Sequence, residues 1–139
     1  MSFSEKIVDD FFGRRYLTLS NYYKHLVKTL SIISQRGNAI IVGRGANFLL
    51  PDSLNIRIIC NMNQRIKWTM KYEKMTEKEA IKRIEKSDEN RKEFNKILYH
   101  HDINKPVYYD LIIQTSEHLT INDAVDIIEA HARKKFKLK

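Results

Sequence analysis

Hydrophobic positions along this chain follow two different rhythms. Where apolar residues recur every three or four positions they mark one face of a helix. From Ser20 or Asn21 onward, Tyr23, Leu26, Val27, Leu30 and Ile33 keep that spacing, and Gly37 follows the expected end. An earlier helix is expected over residues 5–12, capped by Ser4 and stopped by Gly13. Further helices are expected over 64–72, 77–98 and 121–132. Thr76-Glu77-Lys78-Glu79 has the spacing of a capping box, in which each side chain satisfies a backbone donor of the other residue. Thr120 with Asp123 is a near relative of it. Between these helices lie short apolar, β-branched runs. Residues 38–43, 55–60 and 109–114 read as strands, with 46–50 a short helix stopped by Pro51, 61–63 a turn and 100–106 a loop.

Strands alternating with helices predict βα units and a mainly parallel sheet. In such sheets ligands gather at the carboxyl ends of the strands. Arg44, Asn61, Asn63 and Thr115 fall there. The sequence has no internal repeat and no low-complexity linker. Its 139 residues suit one domain over 1–139, with a basic tail at 133–139.

Charge narrows the partners. The net charge is +8, with 30% charged residues, which favours anions such as nucleotides and phosphates. Arg133, Lys134, Lys135, Lys137 and Lys139 read either as a solvated helix end complementing the helix dipole or as a partner-binding tail. Nucleic acid has only charge in its favour, because aromatics do not interleave with the basic residues as a stacking platform requires. The apolar runs are too short to cross a bilayer, so no membrane partner is expected. Residues 1–10 contain acids and no apolar signal core. The one cysteine, Cys60, ends an apolar run and is expected to be a buried, inert thiol. Together these point to the cytoplasm.

The stretch that says most about chemistry is Gly43-Arg44-Gly45, where a strand is expected to give way to a helix. Glycine lets the backbone turn tightly or approach a ligand. A guanidinium over strand ends holds a phosphate through two parallel hydrogen bonds. An ion pair stapling the loop to a carboxylate would use the same residue. On the long helix, Asp88 and Arg91 are three apart and share a face, with Arg83, Lys86 and Glu89 nearby. Taken alone they make a salt-bridged surface, and Arg65 beside Lys67 is an ordinary surface cation. His100-His101-Asp102 reads as loop, since adjacent histidines seldom aim at one ion, and no metal site is expected. Met62, Trp68, Met70, Tyr72 and Met75 read as packing. No Ser/His/Asp triad is recognisable.

The order of these parts is more specific than any one of them. Ala39-Ile-Ile-Val-Gly-Arg-Gly-Ala-Asn47 is followed by the strand at 55–60 and then Gln64-Arg65-Ile66. Next come Thr76-Glu-Lys-Glu-Ala80 and Ser87-Asp88-Glu89-Asn90-Arg91. Tyr109-Asp110-Leu111-Ile112-Ile113-Gln114-Thr115, Leu119-Thr120 and Ala124-Val125 close the series. From about residue 20 to 129 this resembles the cytidylate kinase-like family of P-loop nucleoside-monophosphate kinases. The resemblance implies that Arg44, flanked by Gly43 and Gly45, faces the monophosphate acceptor. It implies that Arg65 opens a helix toward the site, and that Asp88 and Arg91 form the lid element, with Arg91 reaching transferred phosphate. Arg91 and Arg65 are thus the catalytic candidates, and Arg44, Gly43, Gly45 and Asp88 the phosphate-binding ones. Residues 109–115 would lie near the nucleotide base. The family uses ATP and Mg2+.

One departure is large. The family begins with a strand, a G-x-x-x-x-G-K-[ST] loop and a helix, and that loop cradles the ATP phosphates. The four glycines here stand at 13, 37, 43 and 45, and no pair has that spacing. The expected fold is therefore a three-layer, mainly parallel sheet flanked by helices, nucleoside-monophosphate-kinase-like but N-terminally truncated, without the first strand and P-loop. Such a chain should hold no ATP or Mg2+ cofactor of its own, bind a nucleotide or phosphate weakly, and be inactive alone. In the family the missing strand lies between those matching 38–43 and 55–60. These two are expected to close up directly, or to be completed by a homodimer or partner chain, rather than by residues 3–19. The alternative function is a non-catalytic protein-interaction module on the same fold.

Overall fold

A computed structural model describes residues 19–139. The helix expected over 5–12 and the filling of the sheet by 3–19 fall outside the described residues. Four helices and two strands follow in order: α1 (Leu19–Arg36), β1 (Ile56–Cys60), α2 (Met62–Glu73), α3 (Glu77–Tyr99), β2 (Leu111–Thr115) and α4 (Ile121–Phe136). Short 3-10 turns occupy Ala46–Phe48 and Pro106–Tyr108. Two compact units are distinguished. One is 19–53 with Arg91–Ile103, and the other is Leu54–Asn90 with Asn104–Lys139.

In the second unit the architecture is α/β. β1 and β2 pair in parallel, Ile56 opposite Leu111 through Cys60 opposite Thr115. Parallel strands need a long crossover, and α2 and α3 lie within it. At the amino ends of the strands the Asn55 N–H donates to the Asp110 carboxylate at 2.7 Å. Arg57 donates to Asn104 Oδ1 at 2.8 Å and lies over the Tyr109 ring. Tyr109 and Asp110 thus tie the amino ends of the ladder together. Along β2 the burial alternates, with Ile113 and Thr115 inside and Ile112 and Gln114 out.

Both capping signals are realised. Thr76 and Glu79 exchange hydrogen bonds at the start of α3, with the Thr76 N–H donating to Glu79 at 2.8 Å. Thr120 and Asp123 do the same for α4. Neither caps an isolated helix: Ala80, fully buried, packs with Ile66 and Ile84, and Met70, Met75 and Ile81 close around them. This apolar contact joins α2 to the first half of α3, across a turn in which Lys74 takes the left-handed conformation. Of the residues expected to pack on α2 and after it, Met70 and Met75 do so, whereas Met62 and Tyr72 are exposed. Cys60 is only partly buried, because it sits where β1 runs out toward solvent.

The first unit holds an aromatic cluster. Tyr22 of α1 meets Phe94 of α3 edge to face at 6.3 Å, and Tyr99 joins them. The buried face of α1 is led by Tyr22 rather than Tyr23, since Tyr22, Leu26 and Leu30 form one four-residue ridge. Gly37 ends α1 as expected, at φ +70°.

The strand expected over 38–43 does not form. Residues 38–42 have no regular structure, Ile40 is 96% exposed and Val42 89%. Among the described residues β1 and β2 form a two-stranded sheet. An apolar run becomes a strand only when another backbone edge accepts its hydrogen bonds.

Candidate functional site

Chemistry-bearing residues gather in three places, and each arises from local sequence. The first is the turn 43–45. Gly43, Arg44 and Gly45 take φ of +76°, +60° and +64° in succession. Left-handed backbone costs a side-chain-bearing residue roughly 1–2 kcal/mol, so Arg44 is held there by its surroundings. The Tyr99 hydroxyl donates to the Arg44 carbonyl at 2.7 Å. A Cβ at Gly45 would run into the Tyr99 ring and stand 2.7 Å from Asn95 Oδ1, so only glycine fits. Burial pushes the Tyr99 phenol well above its usual value, with Tyr23 and Tyr22 adding to the rise, so it remains a donor at neutral pH. Burial also raises the Tyr22 phenol, and the positive charge of Arg44 draws it partly back. Asn95 is 5% exposed, and its Nδ2 donates to the Arg91 carbonyl at 2.8 Å. Its Oδ1 has no partner among the described residues. The Arg44 side chain itself is exposed.

The second place is the α2–α3 pair. Arg65 and Asp88 form a two-pronged ion pair, Nη1 to Oδ2 at 2.7 Å and Nη2 to Oδ1 at 2.6 Å. The geometry matches planar guanidinium to planar carboxylate. The hydrogen bonds to Asp88 raise the Arg65 pKa further, against the opposing effect of burial. Beside it opens a groove of about 430 Å3, lined by Arg65, Trp68 and Thr69 of α2 and by Arg83, Lys86 and Ser87 of α3 among others. Arg83 Nε donates to Glu73 at 3.2 Å across its far end.

The third place is the carboxyl end of the ladder. There a groove of about 440 Å3 is lined by Asn61, Asn63, Lys67, Ser116, Glu117 and His118. Asn61 caps α2 by accepting the Gln64 N–H at 2.9 Å. Thr115 does not line it. Thr115 is 2% exposed and its hydroxyl donates to the Ile59 carbonyl at 3.3 Å, which makes it a strand-to-strand tie.

The structure therefore brings Arg65 and Asp88 together as one unit. It places Arg44 with Gly43 and Gly45 on a rigid turn, and sets Arg91 on the exposed surface of α3. Trp68, Arg83 and Lys86 were legible only as packing or surface charge. The signal that could have found them is the four-residue spacing of Ala80 and Ile84, which sets α3 against Ile66 of α2 across a short turn. His101 stacks on Phe48 with ring centroids 4.6 Å apart, in keeping with a loop role.

The donors of the described residues do not fit a protein-held magnesium ion. Among the described residues no three His, Cys, Asp or Glu side chains converge. Asp88 and Glu73 are engaged by arginines. No helix of the described residues is long and apolar enough to cross a membrane.

Compared with known protein families, residues 1–117 match the model of the cytidylate kinase-like family. No curated protein matches the chain.

Proposed function

The chain belongs to the cytidylate kinase-like family, and from that premise we propose that it is a nucleotide-binding domain whose Arg44 grips the phosphate of a nucleoside monophosphate. The observation that carries this reading is the turn 43–45. Three consecutive left-handed residues, a Tyr99 hydrogen bond to the Arg44 carbonyl and a glycine that accepts no side chain fix the backbone that carries the exposed Arg44. Backbone strain of this kind persists where the surroundings over-determine it, and it clusters at ligand clamps. Arg65, pre-shaped by Asp88, and Arg91 are further cations for the same class of ligand.

Binding rather than phosphoryl transfer is what these 139 residues perform. No G-x-x-x-x-G-K-[ST] loop occurs among them, and phosphoryl transfer depends on such positioning and electrostatics. Calorimetric titration with CMP tests the reading. Arg44→Ala should weaken binding by about 1.5–3 kcal/mol, the range for charge-assisted hydrogen bonds. Binding unchanged by the substitution removes Arg44 from the site.

A second reading draws on the exposure of Ile40 and Val42: an interaction module whose sheet is completed by a second copy or another chain. A dimer in light scattering that Ile40→Ser dissociates would support the second-copy form. A monomer with and without the substitution removes that form.

A further inference from the structure

The groove between α2 and α3 has properties that the turn at Arg44 does not explain. Its volume, about 430 Å3, lies in the range of small-molecule sites. Three cations line it, Arg65, Arg83 and Lys86, against one carboxylate, Glu73. That carboxylate is engaged by Arg83 Nε alone, and the two terminal nitrogens of Arg83 donate no hydrogen bond among the described residues. Lys86 makes no ion pair among the described residues either. Arg83 and Lys86 are three apart on one helix, a spacing at which like charges repel and an anion between them relieves the cost.

The remaining wall is of a different kind. Trp68 stands half-buried on the α2 side, with Ile84 buried on the α3 side. An indole beside unspent cation donors is a surface for a planar ring, which stacks on an aromatic face whatever its substituents. Both helices are fixed at this point. Ile66, Ala80 and Ile84 pack underneath, the Thr76–Glu79 box anchors the start of α3, and the Arg65–Asp88 pair ties the helices further along. The donors thus sit on a rigid hairpin rather than on a loop.

We infer that the α2–α3 groove is a binding site for a phosphorylated aromatic ligand, a nucleotide, with its phosphate on Arg83 and Lys86 and its ring against Trp68. The inference shares its ligand class with the proposed function and stands on different residues. Arg65 contributes as a fixed positive wall, its orientation set by Asp88.

Trp68 is the single tryptophan of the chain, so tryptophan fluorescence reads this groove directly. Titration with CMP should change that fluorescence saturably, and inorganic phosphate should compete. The exposed pair Arg83→Gln/Lys86→Gln should raise the apparent Kd about tenfold or more, with helix content by circular dichroism unchanged. Competition by uridine as well as by phosphate would fit the ring and phosphate halves separately. A flat fluorescence titration while Arg44-dependent heat persists in calorimetry overturns the groove and leaves the Arg44 reading intact. A saturable response that ignores Arg83→Gln/Lys86→Gln also overturns it. A response lost in that variant, with calorimetry indifferent to Arg44→Ala, supports the groove and removes the Arg44 site.

Discussion

The α2–α3 hairpin and the segment 38–45 respond to sequence in opposite ways. In the hairpin the capping and ridge signals of α3 are obeyed. The capping box closes, α3 begins at Glu77, and the apolar ridge finds its partner in α2. In the segment the strongest β pattern of the chain, Ala-Ile-Ile-Val, stays without regular structure, and the neighbouring glycines and arginine build a defined turn instead. A helix satisfies its backbone within itself, and its caps need residues only three positions away. A strand depends on an edge supplied from elsewhere, which no local pattern provides.

The sharpest way to break this contrast is Gly45→Ala. The added Cβ would meet Tyr99 and Asn95 and would carry left-handed strain, so the expected loss of stability is about 2–4 kcal/mol. Urea unfolding measures it. A loss under about 1 kcal/mol would mean that the turn is as loose as the run before it. At Gly43, also left-handed, nothing stands within 4 Å of an added Cβ, so that position is a control for backbone strain alone.

Smaller effects belong to the hairpin. Thr76→Ala should cost about 1 kcal/mol, as should Thr120→Ala in α4. The same caps carry a pH signature. The backbone and side-chain hydrogen bonds from Thr76 hold the Glu79 carboxyl below its ordinary 4.5, and those from Thr120 hold Asp123 below 3.8. A carboxylate with a depressed folded pKa contributes stability that is fully present above its unfolded value and lost as pH falls through the folded one. Helix content followed by circular dichroism should therefore hold at pH 5 and above. It should decline below about pH 4, and less so in Thr76→Ala. An identical decline in that variant would show that the cap is not the titrating element.

The smallest expected effect tests the other side of the contrast. Ile40→Ser should change the stability of the monomer by no more than about 0.5 kcal/mol, as at other exposed positions. Hydrogen exchange would add that the amides of 38–42 are unprotected. A loss of several kcal/mol would place Ile40 in a packed strand.

These two regions also mark what was legible in the sequence. The starts of α3 and α4 could be read because Thr76 and Thr120 announce them locally, whereas α2 begins at Met62, two residues before the expected Gln64, because Asn61, read as part of a turn, caps it. β1 and β2 could be read because their edges accept one another. The face of α1 was misread by one position, since Tyr22 and Tyr23 are equally apolar and only the partner Phe94 decides between them. Thr115 looked like a ligand contact because strand ends collect ligands, and Tyr109 was set near a nucleotide base by the resemblance alone. The Thr115 hydroxyl ties the two strands at Ile59, and the Tyr109 ring lies under Arg57. Asp88 was legible as a partner for an arginine three residues away. That Arg65, 23 positions back, takes its carboxylate followed only from the packing of two helices.

The ladder itself has a kinetic consequence. Each pairing from Ile56–Leu111 to Cys60–Thr115 joins residues 55 positions apart. Contacts of such long range slow folding, because the chain between them must be ordered before any of the five pairs repays it. α2 and the first half of α3 lie within that interval, with their caps and mutual apolar contacts drawn from it. Once they have collapsed, the search that remains is between two short ends already carried toward each other. By contact range alone, the parallel pair is expected to close after the helical clasp has formed.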